Sequence, residues 1–142
     1  MKNYAATLCF LLFLFCLRVA GQIMVAFFHV DFLPPMEQWY SGLLPYPILL
    51  ICQFLVIGIF AKICFDLSRN SGYFAWRKPR LGAFLITLSY FYYGAMIVRY
   101  IYHMNIHPDD RWFGGTIPII FHFVLATFLN LFGRFNRTKL LP

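Results

Sequence analysis

The chain has 142 residues, of which 61% are hydrophobic and only 12% charged. Soluble domains carry about 45–50% apolar and about 25% charged residues, so an ordinary soluble enzyme is excluded, and disorder, which requires low hydrophobicity with high charge, is excluded more firmly. The net charge of +7 would suggest nucleic acid in a soluble protein; here the basic residues flank apolar segments and read as topology signals, so no nucleic-acid partner is expected.

A bilayer core of about 30 Å takes roughly 20 helical residues to cross. Four apolar stretches reach that length, near 4–28, 43–65, 81–102 and 113–132. They predict an all-α integral membrane protein, a four-transmembrane-helix bundle forming one membrane domain over residues 1–142. The connecting segments are too short to hold a soluble domain, and there is no internal repeat.

The first stretch begins like a signal peptide, with Lys2, an apolar run over 8–17 and a Val19-Ala20-Gly21 sequence that resembles a cleavage site. The apolar pattern resumes over 23–28, so an uncleaved first helix is expected. Arg18, Gln22 and His29 follow at steps of four and seven and form one stripe, with Ala26 on it and Gly21 beside it. Counted from the outer end at about 1.5 Å per residue, Arg18 lies roughly 15 Å deep. Inserting an Arg at the bilayer centre costs about 2.5–3.5 kcal/mol, so a group inside the bundle is expected to accept its hydrogen bonds. The loop that follows holds Asp31, Pro34-Pro35, Glu37, Trp39 and Tyr40, with both aromatic rings expected at the outer interface.

On the second span, Tyr46 and Gln53 are seven apart and share a face, while Lys62 is expected to snorkel towards the inner surface. The second loop carries Arg69, Asn70-Ser71-Gly72, Tyr73, Trp76, Arg77, Lys78, Pro79 and Arg80. The third span places Tyr92, Met96, Arg99, His103 and His107 at steps of four, three, four and four, so its polarity grows outward. Pro108 disfavours helical geometry at His107. The stretch from Asp109 and Asp110 through Arg111, Trp112 and Gly114-Gly115 reads as a tight loop leading into the fourth helix, with Thr116 available as its N-cap. That helix sets His122 on one face with Gly115, Pro118, Ala126 and Gly133, a small-residue seam expected to pack against a neighbour, and Pro118 is expected to bend it. Arg134, Arg137 and Lys139 follow.

Lys and Arg gather in the second loop and the tail, whereas the first and third loops hold Asp31, Glu37, Asp109 and Asp110 against Arg111 alone. Both termini are therefore expected to be cytoplasmic, in a multi-pass protein of the plasma membrane. Cys9, Cys16, Cys52 and Cys64 all fall within spans without a CxxC pair, and are expected to be buried free thiols acting as small hydrophobes, not zinc ligands or disulfides.

Each span thus offers one polar stripe in the outer half or at the midplane, with Lys62, Ser89 and Asn130 standing apart. The stripes predict a shared pocket opening outward, its ligand-binding residues Arg18, Gln22, Gln53, Arg99 and His122, with His29, His103, His107 and Asp109 at the outer rim. No Asp or Glu falls within the core of any predicted span. A deep guanidinium without an acid among amides and imidazoles suits a lipid phosphate, a carboxylate or a quinone-like ring. Recognition of such an amphipathic ligand is the leading expectation. The alternative is a non-catalytic accessory subunit of a larger membrane complex, in which a protein partner replaces the ligand and the polar groups fix helix register. A lipid headgroup-modifying enzyme is a further possibility, with His122 or His29 as general base, but no GxSxG, HExxH or P-loop motif supports it. His103 and His107 at i, i+4, with Asp109, Asp110 and His29 nearby, are read as interfacial polar groups in preference to a metal site; haem held by His122 and His29 fails on their different depths. Four spans without paired broken helices do not support a transporter.

Overall fold

Proline placement sets where two of the four helices begin. In the computed structural model, which describes residues 2–28, 30, 32–39, 45–106 and 116–138, helix α1 spans Lys2–Phe28, α2 Tyr46–Arg69, α3 Pro79–Ile106 and α4 Thr116–Arg137. Helix α2 follows Pro45 and has a second proline in its first turn, and α3 opens on Pro79 itself. The first four N–H groups of a helix have no intrahelical acceptor, so a missing N–H costs nothing there. Pro118 lies in the first described turn of α4 and is buried. Asn70 ends α2 in the left-handed conformation, φ 51°, which asparagine tolerates.

All four helices are long and apolar enough to cross a membrane. The described residues otherwise include one 3-10 turn, Met36–Gln38, and no strand. This is a multi-pass membrane protein built as a four-helix bundle. The helices pack in the spatial order α2, α1, α4, α3: α1 lies between α2 and α4, α3 packs along α4, and among the described residues α2 and α3 make no close backbone approach. The start of α1 meets the end of α4, where the Tyr4 and Phe135 rings stand edge to face at 5.9 Å. We call this the proximal end, and the opposite end, where Phe27 of α1 meets Tyr46 of α2, the distal end.

The apolar core occupies the proximal half. Ala5 and Leu8 of α1, Phe60, Ile63, Cys64 and Leu67 of α2, and Phe128, Phe132 and Phe135 of α4 form one buried cluster. Its distal limit is the stacked pair Phe60 and Phe128, whose ring centroids are 3.7 Å apart. The cysteines are free thiols, but only Cys64 is buried, in this core; Cys9 and Cys52 are exposed, which corrects the expectation of burial because most residues of the α1 and α2 spans are not buried within the bundle.

Helix α2 runs one turn past the predicted span and so carries Asp66, which is buried. Its carboxylate accepts Lys62 Nζ and, at 3.1 Å, Phe74 N, while its carbonyl accepts Ser71 N at 3.1 Å. Lys62 remains half-exposed and pairs with an acid of its own helix. Gly72, at φ 101°, brings its backbone against this carboxylate, and a Cβ there would lie 2.5 Å from an Asp66 oxygen. One acid therefore fixes the turn between α2 and α3. Asp66→Asn should cost about 1–3 kcal/mol, because a charge-assisted acceptor is lost in a buried position. Chemical denaturation in detergent measures this, with Lys62→Met costing less because Phe74 N keeps its acceptor.

Candidate functional site

Distal to the Phe60–Phe128 stack the interior turns polar. Arg18 is 8% exposed and Gln22 0%, one turn apart on α1, and Gln53 of α2 is 5% exposed. Gln53 Nε2 donates to Gln22 Oε1 at 2.9 Å, tying α1 to α2. Arg18 sits over the Phe121 ring of α4, 5.9 Å from its centroid. It also lies within electrostatic range of Tyr46 on α2 and His122 on α4. On α3, Arg99 is within range of both Tyr92 and His122, and Tyr92 Oη bonds His122 Nδ1 at 2.9 Å. Residues of all four helices therefore meet in one polar layer.

The Arg18 acceptor comes from outside the helices. Arg18 Nη2 donates to the Trp39 carbonyl at 2.7 Å. Trp39 is only 7% exposed; its ring presses on Gly21, where a Cβ would meet the indole at 2.7 Å. Trp39 is thus packed into the bundle against α1. The segment around the 3-10 turn touches both α1 and α4 and is held together internally: Leu33 N donates to Val30 O, Gln38 N to Pro35 O, Trp39 N to Met36 O and Trp39 Nε1 to Pro34 O. It folds back to helix depth because a carbonyl satisfies a guanidinium there and a glycine leaves room for the indole. The only sequence signal for this was Gly21, three residues from Arg18.

Several donors and acceptors in the layer have no partner among the described residues: Arg18 Nε, Gln22 Nε2 and Gln53 Oε1 are all buried and unpaired. Among the described residues the one salt bridge is Lys62–Asp66, so neither arginine of the layer has a carboxylate against it. Of the predicted rim, His103 is half-buried on the last turns of α3; His29, His107 and Asp109 lie outside the described residues, as do Asp31 and Asp110. No three His, Cys, Asp or Glu side chains gather as metal ligands among the described residues.

Ser89 and Asn130, which stood apart in sequence, join α3 to α4. Asn130 Nδ2 donates to Ser89 Oγ at 2.8 Å, Arg134 Nε to Asn130 Oδ1 at 2.8 Å, and Tyr93 Oη meets Thr127 Oγ1 at 2.7 Å. Pro118, Ala126 and Gly133 are buried as the seam reading requires, whereas Gly115 lies outside the described residues. An apolar groove of about 340 Å³ runs between the distal halves of α3 and α4, lined by Ile97, Tyr100, Thr116, Ile119, Ile120 and Phe123. It has no charged side chain and does not match the chemistry of the polar layer. In comparisons with known proteins, no family model, no curated protein and no solved structure matches this chain, so its chemistry has to be read from its own side chains.

Proposed function

We propose that this membrane protein binds the anionic head of an amphipathic molecule in its distal polar layer, with Arg18, Gln22, Gln53, Arg99 and His122 as the recognising residues. One observation carries this reading: two guanidinium groups, on two different helices, each lie within electrostatic range of His122 on a third, with no carboxylate among the described residues to balance them. In a low-dielectric interior a guanidinium without a counter-charge is costly, and an anion beside it offsets that cost. A phosphate or carboxylate supplies that charge and an acceptor for the buried Arg18 Nε. A quinone-like ring would fill the hydrogen bonds but leave the charge uncompensated, so the anion is preferred. With Arg69, Arg77, Lys78, Arg80, Arg134 and Arg137 all towards the proximal end, that end faces the cytoplasm in this reading and the ligand belongs to the outer leaflet.

Native mass spectrometry of gently extracted protein, with lipid analysis, tests the proposal. Arg18→Met and Arg99→Met should each lower the occupancy of a copurifying anionic amphiphile by roughly tenfold or more, since hydrogen bonds to a charged group contribute about 1.5–3 kcal/mol. Equal occupancy in the wild type and both variants would sink the site. The accessory-subunit reading is favoured by α3, which packs against α4 but exposes Phe84, Phe91, Val98 and Tyr102 on its other side. A stoichiometric protein partner without bound lipid would replace the ligand reading with that one.

A further inference from the structure

We infer that the ligand is a lipid whose headgroup carries a free hydroxyl close to its anionic group, and that the Gln22–Gln53 amide pair reads that hydroxyl beside Arg18. This rests on the anionic-amphiphile reading above and narrows it. Two primary amides joined by a single N–H···O bond always leave one amide with a spare carbonyl and the other with a spare NH2. Here the spare groups are Gln53 Oε1 and Gln22 Nε2, both buried and both unpaired among the described residues. Exchanging oxygen and nitrogen in both amides would reverse the helices but leave the same requirement, one donor and one acceptor.

The chemistry of the missing partner follows from that pair. A second phosphate or carboxylate oxygen would accept from Gln22 but face the Gln53 oxygen lone pairs. An ammonium would donate to Gln53 but face the Gln22 donor and be repelled by Arg18. A hydroxyl both donates and accepts, so one such group satisfies the two amides together. Arg18 and Gln22 are at i, i+4, with Cβ atoms about 5–6 Å apart in a helix, so the charged oxygens and the hydroxyl must belong to one compact headgroup. The layer is floored by the Phe60 and Phe128 rings, and among the described residues α2 and α3 make no close backbone approach, which leaves a side for acyl chains. Both features favour a lipid over a soluble anion.

The test compares phosphatidylglycerol with phosphatidylethanol, which has the same phosphodiester charge and no headgroup hydroxyl, each doped into phosphatidylcholine nanodiscs holding the full chain. Wild-type protein should retain phosphatidylglycerol roughly tenfold better, the factor expected when a site built for a hydroxyl is left with unpaired buried groups. The double variant Gln22→Leu/Gln53→Leu, which removes both polar partners at similar volume, should bind the two lipids equally. Arg18→Met should weaken both. Equal binding of the two lipids by the wild type, with Arg18 still required, would overturn the hydroxyl inference and leave the anionic site standing. No preference of either lipid over phosphatidylcholine would overturn both. Glycerol phosphate in solution should not compete at equal concentration; competition would assign the site to a soluble anion and overturn the lipid assignment.

Discussion

Gly82→Leu and Gly133→Leu should each destabilise the bundle while Gly58→Leu and Gly94→Leu leave it unchanged or slightly more stable. The four glycines sit on transmembrane helices, but their surroundings differ. A Cβ at Gly82 would lie 2.7 Å from the Gly133 carbonyl oxygen, and one at Gly133 would lie 2.8 Å from Ile86 Cγ1 and 3.0 Å from the Gly82 carbonyl. At Gly58 and Gly94 nothing lies within 4 Å. Removing a helical glycine stabilises by up to about 1 kcal/mol through propensity, whereas overpacking a tight contact costs about 1–3 kcal/mol. Backbone cannot rotate away as a side-chain tip can, so the seam substitutions should reach at least the upper part of that range. Among the described residues α3 approaches α4 alone, so prising open this crossing loosens the whole of α3. Thermal unfolding in mild detergent should show Tm falling by several degrees for the seam variants. Equal shifts at all four positions would mean that the glycines matter only through helix propensity.

Trp39→Ala should release the segment 30–39 from the bundle, with a cost approaching the roughly 3–5 kcal/mol typical of buried Trp truncations. The substitution removes the ring packed on Gly21 and the Nε1 bond to Pro34, and Arg18 then loses a fixed acceptor. Hydrogen exchange reads this directly: the amides of Leu33, Gln38 and Trp39, bonded within the segment, should exchange faster by orders of magnitude. Gly21→Leu should produce the same result by occupying the space of the indole. Trp39→Phe should be mild, losing one hydrogen bond at about 0.5–1.5 kcal/mol. Unchanged exchange in Trp39→Ala would show that the segment is held by contacts other than this ring.

Much of the polar layer can be traced to periodicity in the chain. Arg18 and Gln22 share a face because they are one turn apart, and Tyr46 with Gln53, or Tyr92 with Arg99, share theirs because they are two turns apart. What spacing does not encode is which faces meet. The Gln22–Gln53 bond, the Tyr92–His122 bond and the Ser89–Asn130 bond each depend on the rotation and axial height of two separate helices. Ser89 and Asn130 looked isolated for that reason. Asp66 was missed for a different one: an acid one residue beyond an apolar run reads as a loop residue, and only the left-handed cap at Asn70 shows that the helix continues past it.

The four membrane-crossing helices follow from the sequence alone, because a bilayer leaves an apolar run of this length one main way to satisfy its backbone hydrogen bonds. The presence of a deep arginine without a nearby acid in its own span is likewise a property of the sequence. Its hydrogen-bond acceptor was decided by tertiary structure. The Trp39 carbonyl lies 21 positions away and reaches Arg18 because a short turn folds back against Gly21, a contact set by three-dimensional fit that no helical repeat announces.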